Sequence, residues 1–69
     1  MQHSSATVSE LLSIHSELPA GTASRLQLSL LLRSADRGEL RASELDRAIH
    51  ALRSERFHVL ALRVFSLGV

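Results

Sequence analysis

The stretch Phe57-His58-Val59-Leu60-Ala61-Leu62-Arg63-Val64-Phe65-Ser66-Leu67 constrains this chain more than any other. Eight of its eleven positions are apolar, and it holds both aromatic residues of the protein. At about 100° per residue, Phe57, Leu60, Ala61, Val64, Phe65 and Leu67 gather on one broad helical face. Val59 and Leu62 fall outside that face, so the segment carries more apolar surface than a single contact covers. A helix with one side in water does not have this pattern. A strand is the rival reading, because Phe and Val at alternating positions also fit a period of two. Length and the i, i+3, i+4 spacing favour the helix.

Something must cover that surface, and the chain is short. At 69 residues it can bury only ~60% of what its unfolded form exposes. Small scaffolds gain the missing stability from disulfides, a metal or a partner. There is no cysteine, which removes disulfides and thiolate metal sites. Hydrophobic residues make up 45% and charged residues 22%, the balance of a chain that folds. A partner is the remaining route.

The charge pattern excludes little. Eight arginines, no lysine and seven acids give a net charge of +1, and the exclusive use of arginine suits GC-rich bacterial coding. Residues 1–32 carry one Arg and two Glu, against seven Arg and five acids in 33–69. Nucleic-acid readers are marked by a clustered basic face, which so small an asymmetry does not supply. No secretory signal is evident, and no apolar run approaches the ~20 residues of a membrane span. A cytoplasmic protein is expected.

Three or four short helices are predicted, at about 7–18, 23–36, 43–53 and 55–67. Thr7-Val8-Ser9-Glu10 and Ser24-Arg25-Leu26-Gln27 have the capping-box form, with Thr22 as an alternative cap for the second helix. Ser43 caps the third, with Glu44 and Asp46 in its first turn. Pro19 and Gly21 end the first helix, and Gly38 closes the second as a left-handed residue. Carried forward, the Leu45/Ile49/Leu52 stripe of the third helix lands near Arg56 and Arg63 rather than on the apolar face of 57–67. A bend near Ser54, which can cap a new helix, removes the mismatch.

Reactive constellations are sparse. His3, His15, His50 and His58 stand in no HxxxH or HExxH relation, so no metal site and no cofactor are expected. His15 falls on the Val8/Leu11/Leu12 face and reads as a half-buried imidazole with one hydrogen bond. No GxSxG, P-loop or GxGxxG pattern is present, and an enzyme is not expected. An EF-hand alignment on Gly38 puts Arg33, Ala35 and Arg37 at ligand positions, which cannot hold calcium.

These features predict an all-α fold, a small bundle of three to four short helices arranged as a helical hairpin pair. It forms a single domain over 1–69, with 1–6 as an unstructured lead-in, and is completed by oligomerisation. The expected function is a non-enzymatic protein-protein interaction module: an adaptor, a small chaperone-like protein or a regulatory subunit. Its C-terminal helix would dock on itself or on a larger protein. The predicted interface is Phe57, Leu60, Ala61, Val64, Phe65 and Leu67, with Arg53, Arg56 and Arg63 as a charged rim. The alternative is a small helix-turn-helix DNA-binding transcriptional regulator, whose recognition helix would be 55–67. Only Arg56, His58, Arg63 and Ser66 could serve a groove in that segment, which favours the first reading.

Overall fold

Apolar residues at helical spacing build each element of the computed structural model, which describes residues 5–68. The helices are α1 (Ser5–Glu17), α2 (Ala23–Asp36), α3 (Ala42–Ser54) and α4 (His58–Leu67). No strand occurs among the described residues, and 57–67 is helical from His58 onward. Leu11 and Ile14 of α1, with Leu18 just beyond it, are buried. So are Leu28, Leu31 and Ala35 of α2, Leu45, Ala48 and Leu52 of α3, and Leu60, Ala61 and Val64 of α4. Together they form one core, against which Val8, Leu32, Leu40, Ile49, Phe57 and Leu67 pack from its margins.

Each helix packs on the next, and α4 returns to α1; the diagonal pairs α1/α3 and α2/α4 do not meet. The outer faces of α2 and α4 therefore look to opposite sides of the molecule. A radius of gyration of 10.7 Å compares with about 11 Å for a compact chain of this length. No buried side-chain nitrogen or oxygen among the described residues lacks a hydrogen-bond partner.

Two turns share one geometry. At the end of α2, the Gly38 amide donates to Ala35 O (3.0 Å) and the Glu39 amide to Ser34 O (2.8 Å). This is the Schellman arrangement, and Gly38 takes the left-handed φ of 70° that it requires. At the end of α3, the Arg56 amide donates to Arg53 O (3.0 Å) and the Phe57 amide to Leu52 O (2.8 Å). Here the left-handed residue is Arg56, at φ 69°. The second turn stops α3 at Ser54, tucks Phe57 against the core and re-aims the chain, so α4 takes its own rotational phase.

The bend lies where the sequence places it, but most of the caps do not. α1 already starts at Ser5, so Thr7-Val8-Ser9-Glu10 lies within the helix, and residues 5 and 6 of the expected lead-in are helical. Residues 1–4 of that lead-in are outside the described residues. Thr22, not Ser24, caps α2; its hydroxyl accepts from the Arg25 amide at 3.2 Å. α3 starts at Ala42 with Arg41 at the cap position and no side-chain cap, leaving Ser43 inside the helix. Ser54 ends α3 and does not cap α4, which follows Phe57.

Candidate protein interface on the fourth helix

α4 is apolar nearly all round, so side chains outside the core set which of its sides turns inward. Arg63 is its sole charged side chain apart from His58, and α1 grips it. Arg63 Nε donates to Glu10 Oε2 at 2.8 Å and Nη2 to Glu10 Oε1 at 3.1 Å. Its Nη1 reaches Glu17 Oε2 at 2.7 Å, and Nη2 also reaches Ser13 Oγ at 3.1 Å. The forked guanidinium matches a carboxylate in this two-point manner. Hydrogen bonding from Arg63 holds the Glu10 carboxyl below the ordinary glutamate range, helped by its charge. The reciprocal bonds from Glu10 and then Glu17 raise the Arg63 guanidinium. Glu10 and Glu17 lie seven residues apart on one face of α1, which is why one arginine can reach both.

A second polar lock sits at the turn that precedes α4. The Glu55 carboxylate accepts from the Ser24 amide (2.7 Å), the Ala23 amide (3.2 Å) and the Ser24 hydroxyl. Free amides at the start of α2 meet a negative charge there, as a helix N-terminus favours. The Ser24 hydroxyl, then its amide, and then the Ala23 amide lower the Glu55 pKa. This contact spans 31 residues and ties the α3–α4 turn to the base of α2. On α2's other end, the Ser34 hydroxyl bonds to Glu44 of α3.

With these locks set, the predicted interface divides. Leu60, Ala61 and Val64 are buried in the protein's own core, while Phe57 and Leu67 are half-buried at its margin. Of the six, only Phe65 is exposed, at 54%. The broad apolar face of 57–67 is covered by α1 and α3 of the same chain. The rim divides as well, since Arg53 and Arg56 are exposed whereas Arg63 is engaged by α1. The outward ridge consists instead of Val59 (71% exposed), Leu62 (60%) and Phe65. His58 and Ser66 are its polar neighbours.

Val59 and Leu62 are the two residues that the sequence places outside the broad face. Their i, i+3, i+6 relation to Phe65 was present in the chain as a second, narrower stripe. Beside the ridge, a small cleft of about 110 Å³ between α3 and α4 is lined by Ala42, Asp46, Ile49, Phe65 and Gly68, among others.

Elsewhere, His15 Nε2 lies 3.0 Å from Ser29 Oγ. The same hydroxyl donates to Arg25 O at 3.1 Å. His15 is the half-buried, singly bonded histidine expected from the sequence. Among the described residues no group of three or more His, Cys, Asp or Glu is placed to hold a metal ion, and His3 lies outside them. No helix there is long and apolar enough to cross a membrane. The chain matches no protein-family model, no curated protein and no solved structure.

Proposed function

We propose that the chain is a non-enzymatic helical protein-protein interaction module that docks through the outer face of α4. The observation that carries this reading is the ridge itself. Single exposed hydrophobic residues are ordinary on protein surfaces, but Val59, Leu62 and Phe65 stand at i, i+3, i+6 on a face with no Asp, Glu, Lys or Arg. Aligned anchors of this kind are what a helix presents to an apolar groove or to another helix. An adaptor, a chaperone-like protein or a regulatory subunit would use the face in the same way. The duplex-reading alternative is less well supported, because such a helix needs basic and polar side chains toward the groove. Arg63, the one arginine of α4, is committed to Glu10 and Glu17.

The test is site-specific photo-crosslinking in the cells that make the protein. A crosslinking residue in place of Phe65 yields covalent adducts, whether with this chain or another protein. The same residue in place of Ser9, exposed on α1, gives background. Equal background at both positions overturns the docking reading.

A further inference from the structure

Resting on that reading, we infer that the occupant of the α4 face is a second copy of this chain, paired antiparallel about a two-fold axis near Leu62. Charge is the first argument. The molecule has another outward apolar pair, Leu26 and Leu30 on α2, on the side opposite α4. Arg25, Arg33 and Arg37 surround it, with Asp36 beside them and Glu39 paired to Arg37 at 3.2 Å, so self-pairing there sets a net positive edge against itself, which disfavours association. The α4 ridge carries no charged side chain, and a copy of itself meets no such opposition.

The flank of α3 supplies the second argument. Ala42, Asp46 and Ile49 line the cleft beside Phe65, and Arg53 shares their helical face, seven residues beyond Asp46. That flank is acidic near the start of α3 and basic near its end. An antiparallel two-fold reverses α3 together with α4, so the Arg53 end of one copy lies against the Asp46 end of the other. Both pairs form at once, as an isologous interface demands.

The helix ends agree with this direction. α4 has no acidic residue in its first turn and no basic residue in its last, so no side chain of its own end turns matches either pole of its dipole. Antiparallel neighbours set the positive pole of one against the negative pole of the other. A ten-residue helix is about 15 Å long, and its ridge buries less than the ~800 Å² per partner of a standard interface. The dimer is therefore concentration-dependent, with a dissociation constant on the order of micromolar.

Sedimentation equilibrium on the purified full chain, from about 1 μM to about 1 mM, tests this. The mass should rise from 7.6 kDa toward twice that value. Leu62→Arg should raise the dissociation constant about 100-fold or more with the helical circular dichroism unchanged. Arg53→Asp should weaken the dimer, and adding Asp46→Arg to it should restore the dimer. Because the chain has no cysteine, L62C should cross-link to itself on mild oxidation while L26C should not; this readout decides the matter if Leu62→Arg fails to fold. A monomer throughout overturns the inference, yet photo-adducts with other proteins at Phe65 would leave the docking reading standing. A dimer that survives Leu62→Arg, or that cross-links through L26C instead, also overturns it.

Discussion

Leu60 and Leu62 sit two residues apart on α4, yet one is 8% exposed and the other 60%. Nothing in their chemistry separates them. The inward side of the helix presents Leu60, Ala61 and Val64, and the outward side Val59, Leu62 and Phe65, nearly matched in apolar character. Hydrophobic burial alone therefore gives little reason for one side over the other. The asymmetry comes from what borders the helix: Arg63 toward α1, and Phe57 drawn inward by the preceding turn. In a helix this apolar, the polar and turn contacts choose the face, and the core then accepts what it is given. The largest effect should follow from that assignment. Leu60→Ala should lower stability by about 3 kcal/mol, whereas Leu62→Ala should change it by less than about 0.5 kcal/mol. Urea denaturation at a concentration where the chain is monomeric measures both. Equal losses would mean that the two sides are not distinguished as described. Against the roughly 3–10 kcal/mol expected for a chain of this length, the first change removes between about a third of the stability and all of it.

The turn that aims α4 can be compared with its twin. Both Schellman turns need a left-handed residue; one has Gly38 and the other Arg56. For a residue with a side chain that conformation costs roughly 1 kcal/mol. Arg56→Gly should therefore stabilise the monomer by up to about 1 kcal/mol, and Gly38→Ala should destabilise it by a similar amount. Midpoints from thermal melts of the two variants should move in opposite directions. If Arg56→Gly moves downward, the arginine side chain makes contacts that outweigh its backbone.

Part of this fold was legible in the sequence, because α3 has one clean apolar stripe, whereas α2 carries leucines on two sides, Leu28 and Leu31 inward and Leu26 and Leu30 outward. Leu45, Ala48 and Leu52 can face only one way, and Gly38 announces the turn before them. The start of α2 was harder. Ser24 looks like a cap, but its hydroxyl is taken by Glu55 from far along the chain, and no local pattern displays that partner. Thr7 and Ser43 lie inside their helices for a simpler reason: serine and threonine are also tolerated within the first turn, so their presence marks a helix start only to within a few residues. The inward side of α4 was the least legible, since two overlapping stripes compete there. The informative signal was Arg63, a lone charge in an apolar helix, with Glu10 and Glu17 seven residues apart on α1 as the pair able to receive it.

Acid should loosen the same locks. The folded-state pKa of Glu55 lies below its unfolded value of about 4.3, so the carboxylate adds stability at pH values above that. The contribution fades as pH falls through the lower, folded value. Glu10 behaves likewise, through Arg63. Stability should therefore drop on acidification from about pH 4.3 downward, and Glu55→Gln should flatten that drop without removing it, because Glu10 remains. Denaturation midpoints measured from pH 7 to pH 2 give the comparison. An acid limb of the same steepness in Glu55→Gln would show that the tie between Glu55 and the base of α2 contributes nothing to folding.

The smallest change in overall stability, and the most direct probe of how α4 is oriented, is expected from Arg63→Gln. Its ion pairs are partly open to water, where such pairs contribute little to global folding. What they supply is a choice between two similar sides of one helix. Without the guanidinium, α4 can rotate about its axis and exchange Leu60 and Val64 for Leu62 and Phe65 with little loss of apolar burial. Backbone amides of α4 should then exchange with solvent faster than in the parent chain, while those at the centres of α2 and α3 keep their rates. Arg63→Lys should not restore protection, because a single ammonium cannot bridge Glu10 in the two-point manner and reach Glu17 as well. Unchanged exchange in both variants would place the choice of side in the apolar packing after all, and the Phe57 turn would be left to make it alone.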